Sequence, residues 1–111
     1  MKHHKNKPTF RFIHEPKEFN KYSEREFLQY CLGATMYMPG TKDIAENILS
    51  KRWPELTSMV MCFEDAIAEH ELAQAEDNVI GTLNRIFAAI QEGEFSTQDL
   101  PLIILRVRDF E

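Results

Sequence analysis

Three stretches of this chain are apolar without interruption, and two longer ones are apolar only at every third or fourth position. The uninterrupted runs are "TMYM" at 35–38, "SMVMCF" at 58–63 and "LIIL" within 102–107. Each is too short for a helix, and none shows the polar alternation of a half-exposed strand. Such runs predict strands covered on both faces, as in a parallel sheet. In "TKDIAENILSKRW", Ile44, Ala45, Ile48 and Leu49 form one helical stripe. They predict a helix over 42–51, begun at Thr41 or Lys42 and ended before Pro54. In "EHELAQAEDNVIGTLNRIFAAIQEG", Val79, Ile80, Leu83, Ile86, Phe87 and Ile90 share a face. They predict a helix over 72–92, closed by Gly93. Ahead of these, Ser23 and Glu26 have capping-box spacing, and a short helix over 24–32 closed by Gly33 is expected.

Strand, helix, strand, helix, strand is the order of a parallel α/β sheet with right-handed crossovers. Both helices are then expected on one face. Ligand sites in such folds lie beyond the carboxyl ends of the strands. Here those ends are Pro39-Gly40-Thr41, Glu64-Asp65 and Arg106-Val107-Arg108. If the strands are neighbours, a turn, two carboxylates and an arginine share one mouth. Plainer readings stand beside this one. Glu64 and Asp65 suit a helix N-terminus, and Arg106 suits a surface ion pair. Met36, Met38, Met59 and Met61 read as strand core rather than ligands. His70 reads as solvated, and His3 and His4 alone make no metal site.

Length and composition narrow the picture. The 111 residues suffice for one small domain, and 43% apolar with 28% charged residues is ordinary for a globular protein. No apolar run approaches the roughly 20 residues of a membrane helix. The apolar stretch near the N-terminus, residues 10–13, is shorter than the about 7–15 residues of a signal-peptide core. A cytoplasmic protein is therefore expected. Cys31 and Cys62 have no metal or redox spacing and are expected to be buried free thiols. The net charge of −5 is unevenly spread: residues 1–25 carry +4 and the rest −9. A basic, poorly ordered arm over 1–22 is expected ahead of a domain over 23–111; the apolar stretch at 10–13 allows one short strand within the arm. The acidic remainder repels a phosphate backbone, so nucleic acid is not expected as a partner.

"LGATMYMPGTKDIAENIL", "SMVMCFEDAIAEHELAQAEDNV" and "LPLIILRVRDFE" resemble consecutive blocks of the citrate lyase β-subunit family, the HpcH/HpaI aldolase group. The matching motifs are "YMPG", "FEDAI" and "RVR", each at a strand end and in the family's order. The nearest branch resembled is that of bacterial C–C bond lyases whose first strand reads "LGA-x-x-YMP". The resemblance spans about residues 32–110. It implies a (β/α)8 TIM barrel of which this chain supplies the N-terminal three β/α units. It further implies a metal-dependent C–C lyase or aldolase that forms an enolate from a carboxylate-bearing substrate, often a CoA ester. Mg2+ or Mn2+ is the implied cofactor, with its ligands on later strands and none in this chain.

Carried onto this sequence, the resemblance makes Arg106 the substrate-binding arginine, beside Pro39 and Gly40. Glu64 and Asp65 become catalytic residues near the metal and its waters. Gly33 stands where many members carry an arginine, and Arg108 where an asparagine is common; both departures favour a carboxylate other than a CoA ester. A barrel of this kind needs about 250 residues, so the chain reads as an N-terminal piece, inactive alone. A homo-oligomer is expected. The alternative function is a small non-catalytic α/β binding module.

Overall fold

The computed structural model describes residues 11, 13, 15 and 17–108. Of the expected strand at 10–13 only Arg11 and Ile13 are described, and neither is in a strand; His3, His4 and most of the basic arm lie outside the described residues. The described chain divides after Gly33 into two compact units. In the first, α1 (Arg25–Leu28) is a single turn, and Phe19 meets Phe27 edge-on at 6.0 Å. Two expectations fail here. The helix stops at Leu28 rather than reaching Leu32, and Ser23 does not cap it. Instead the Ser23 hydroxyl accepts the Asn20 N–H at 3.1 Å, within a tight turn. That local turn competes with the cap for the same oxygen.

The second unit is a three-stranded parallel sheet of sequential order, β1 (Thr35–Pro39), β2 (Ser58–Cys62) and β3 (Leu102–Arg106). This matches the expected topology. The strands are in register: Met36, Met59 and Ile103 lie side by side, as do Pro39, Cys62 and Arg106. Side chains alternate in a strand, so the sheet has two distinct faces. On one, Met59, Met61 and Phe63 join Ile44 and Ile48 of α2 (Ala45–Leu49) and Val79 and Ile86 of α3 (Leu72–Gln91) in a single core. Both helices therefore cover the same face, as expected. The other face carries Thr35, Tyr37, Val60, Ile104 and Arg106 and is not covered in the expected way: Tyr37 remains 46% exposed. Continuous apolarity here marks strands sealed on one face and half-open on the other.

Helix ends show what the apolar stripes miss. α2 begins at Ala45 rather than Thr41 or Lys42, because the Asp43 carboxylate accepts the Ala45 N–H at 3.1 Å and holds the preceding residues in a turn. α3 ends at Gly93 as expected. Gly93 has φ +76°, and the Glu94 N–H donates to the Ala89 carbonyl at 2.9 Å, a Schellman closure. α2 closes in the same way, but with Lys51 in the left-handed conformation, φ 54°.

Candidate functional site

The in-register strands bring their carboxyl ends to one rim. Arg106, the last residue of β3, projects over β2 and donates from Nη2 to the Asp65 carboxylate at 2.8 Å. The same Nη2 is paired with Glu64. From Nη1 it donates to the Tyr37 hydroxyl at 2.6 Å, and its guanidinium carbon sits 6.0 Å from the centre of the Tyr37 ring. Among the described residues its Nε–H has no acceptor. The structure thus assembles three expected residues, Glu64, Asp65 and Arg106, from two different strands. The ion pairs are half-exposed, and such pairs contribute little to stability.

Two residues of the cluster carry no signal that a pattern of apolar positions could reveal. The Tyr37 hydroxyl donates to the Cys62 sulfur at 3.0 Å, and the Glu64 N–H reaches the same sulfur at 3.3 Å. Cys62 is fully buried, and neither it nor the buried Cys31 is in a disulfide. Burial alone pushes the Cys62 thiol up. The Tyr37 hydroxyl, the Ala66 and Glu64 amides and the Arg106 charge together outweigh it and hold the thiol below its ordinary value. Tyr37 shifts the opposite way, raised first by its bond to Cys62 and then by desolvation, against the pull of Arg106. The phenol therefore stays protonated, with its O–H directed at the sulfur and its lone pairs towards Arg106. A tyrosine inside an apolar strand is the available sign, since its hydroxyl needs a partner.

Pro39 and Gly40 close β1 beside this cluster. The Gly40 N–H donates to the Cys62 carbonyl at 2.8 Å. A Cβ there would lie 3.1 Å from that oxygen and 3.2 Å from both Ala75 and Phe63, so only glycine fits without displacement. The Gly40 and Lys42 carbonyls accept both amide protons of Asn78, on α3, at 2.7 and 2.8 Å. Arg108 does the same for the loop after β2. It donates to the Phe63 and Ile67 carbonyls, each at 2.9 Å. Its charge therefore serves the loop backbone. Asn78 has no strand-end position, and only the structure reveals its role.

A family model described as "C-C_Bond_Lyase of the TIM-Barrel fold" matches residues 26–111. The chain belongs to that family. No curated protein and no solved structure matches it. For a C–C bond lyase of the TIM-barrel fold, a sequential parallel sheet with helices on one face is the expected partial barrel. The half-open sheet face then corresponds to a barrel interior, and Arg106, Glu64 and Asp65 stand at the carboxyl-end rim where such barrels place their chemistry. Among the described residues there is no group of three or more His, Cys, Asp or Glu side chains able to hold a metal. Glu64 and Asp65 are both turned onto Arg106, so this pair does not fit a metal centre by itself. No helix among the described residues is long and apolar enough to cross a membrane.

Proposed function

We propose that this chain forms the first three β/α units of a lyase barrel close to the HpcH/HpaI aldolases, acting in the cytoplasm. It would receive a carboxylate-bearing substrate whose carbon–carbon bond breaks to leave an enolate. The observation that carries this reading is Arg106 at the third strand end, facing the half-open sheet face, with no acceptor for its Nε–H among the described residues. A planar guanidinium meets a carboxylate with two parallel hydrogen bonds, which fixes both position and orientation. Glu64 and Asp65 hold Nη2, Pro39 and Gly40 shape the neighbouring wall, and the substrate anion takes Nε–H together with Nη2 as one of the two acidic side chains gives way. A Mg2+ or Mn2+ ion belongs to this proposal for the complete enzyme, where it would stabilise enolate charge. Its ligands would come from outside the described residues, with Glu64 and Asp65 shaping its surroundings.

Among the described residues the outer edge of β3 is unpaired; this and the half-exposed Leu105 on its helix-side face support the partial-barrel reading, because a barrel continues there. A homo-oligomer that covers the same surfaces remains part of the proposal. A non-catalytic binding module is the second reading, favoured by the saturation of one guanidinium edge by Glu64 and Asp65.

The test is steady-state cleavage of a panel of hydroxy- and keto-acids by the full-length protein. Charge-assisted hydrogen bonds of this kind contribute roughly 1.5–3 kcal/mol, so Arg106→Ala should lower kcat/KM by about 10- to 100-fold. Arg106→Lys should recover only part of the loss. A panel with no cleavage, together with unchanged carboxylate binding in Arg106→Ala, would leave the binding module without its anchor and the lyase without its substrate.

A further inference from the structure

We propose that Tyr37 is the positioning residue for Arg106, fixed in place by the buried sulfur of Cys62. This rests on the reading that Arg106 receives a carboxylate, and it assigns a role to the tyrosine that opens the "YMPG" motif. Arg106 is 44% exposed in its side chain and hangs on a flexible stem. Its acidic partners, Glu64 and Asp65, are adjacent in sequence, and Asp65 is 65% exposed. Left to these two alone, the guanidinium would follow the carboxylates as they move, and the open edge of the fork would have no fixed direction.

The Tyr37 hydroxyl supplies a third, stiffer contact. It accepts the Nη1–H of Arg106 at 2.6 Å while its own proton is directed at Cys62 Sγ, 3.0 Å away. Cys62 is fully buried and its sulfur also accepts the Glu64 amide, so it cannot follow the phenol. An immobile sulfur orients a phenol, and the phenol orients a guanidinium. Because the proton is committed to sulfur, the phenol oxygen meets Arg106 as an acceptor only. A phenylalanine could keep the ring beside the guanidinium but not the oxygen that fixes its rotation. Tyr37 also draws Nη1 away from the carboxylates, which would otherwise compete with a substrate anion for both nitrogens.

Malonate serves as the probe, with the full chain labelled for arginine side-chain NMR. In the wild type the Nη protons of Arg106 should appear as separate signals, because rotation about the guanidinium bond is hindered. Tyr37→Phe should merge them and weaken malonate binding by about tenfold, in proportion to one charge-assisted hydrogen bond. Cys62→Ala keeps the phenol but removes its anchor, and should merge the same signals; it decides the matter if Tyr37→Phe folds poorly. Cys62→Ser, which retains an acceptor, should keep them separate. Separate signals in both Tyr37→Phe and Cys62→Ala would overturn the proposal, whatever malonate does. If malonate binds wild type and Arg106→Ala alike, the carboxylate reading fails, and the Nη signals alone still decide whether Tyr37 positions Arg106.

Discussion

Cys62 gathers a phenol, two amides and a guanidinium around one thiol, and the consequence is a pH dependence. A thiol whose pKa is lower in the folded chain than in the unfolded one contributes stability that is fully present above the unfolded value. That contribution is lost as pH falls through the folded value. The ordinary value is 9.0 and Cys62 lies below it. Unfolding free energy of the wild type relative to Cys62→Ser should therefore rise as pH approaches 9.0 from below. Urea titrations of both proteins at a series of pH values check this; parallel curves would show that the sulfur is not ionising in the folded state. At this scale the sequence discloses Arg106, Glu64 and Asp65, because charge that follows an apolar run has an address at the strand end. It shows Tyr37 only within "YMPG" and Cys62 only as a buried thiol, not the bond between them. Their bond depends on Tyr37 reaching along the sheet to a residue beside Pro39, not to its own register partner Val60.

Among the elements, the strands and α3 are legible to within a residue, since their apolar runs are long and their stops are abrupt. The shorter helices are not, because single side chains decide their ends: Asp43 delays α2, and the Ser23 turn takes the place of a cap on α1. The end of α2 offers a direct measurement. Lys51 occupies a left-handed position with φ 54° and its ion pair with Asp99, 2.7 Å, is exposed. Left-handed backbone costs a non-glycine residue roughly 1 kcal/mol, and an exposed pair gives back less than about 1 kcal/mol. Lys51→Gly should be neutral to stabilising by about 0.5 kcal/mol in chemical denaturation, once glycine's greater freedom in the unfolded chain is included. Arg108→Ala should act in the opposite direction. It strips the Phe63 and Ile67 carbonyls of their donor and should cost about 1–3 kcal/mol, with faster amide exchange over residues 63–67.

Among the described residues, the second unit as a whole is one-sided. A sheet sealed by α2 and α3 on one face is half-open on the other and unpaired along β3. The flanks of α3 tell the same story. Asn78 and Arg85 reach towards the β1 turn and Glu46 of α2. Ile80 and Phe87, each two residues further and so about 200° round the helix, are 58% and 62% exposed. The apolar stripe that predicted α3 thus contains positions that this chain leaves in solvent, and periodicity alone cannot separate them from its core. The acidic pair turned onto Arg106 leads to an expectation at the same scale. Isothermal titration of the chain with Mg2+ or Mn2+ should show no single site of micromolar affinity. Such a site would mean that the ligands are already present.

Asn78 and Arg108 each tie down a loop at the carboxyl ends of the strands by its carbonyl oxygens, one after β1 and one after β2. Among the described residues, these two loops are fastened and are not lids. If Arg106 receives an anion as proposed, it does so beside two loops whose backbone is already tied, and accommodation falls to the side chains of Glu64 and Asp65 as they give up one edge of the guanidinium. Rotamer changes of this kind take picoseconds to nanoseconds, whereas loop closures take microseconds or longer. Capture of the anion should then be governed by encounter and ionic strength, without a slow gating step ahead of it.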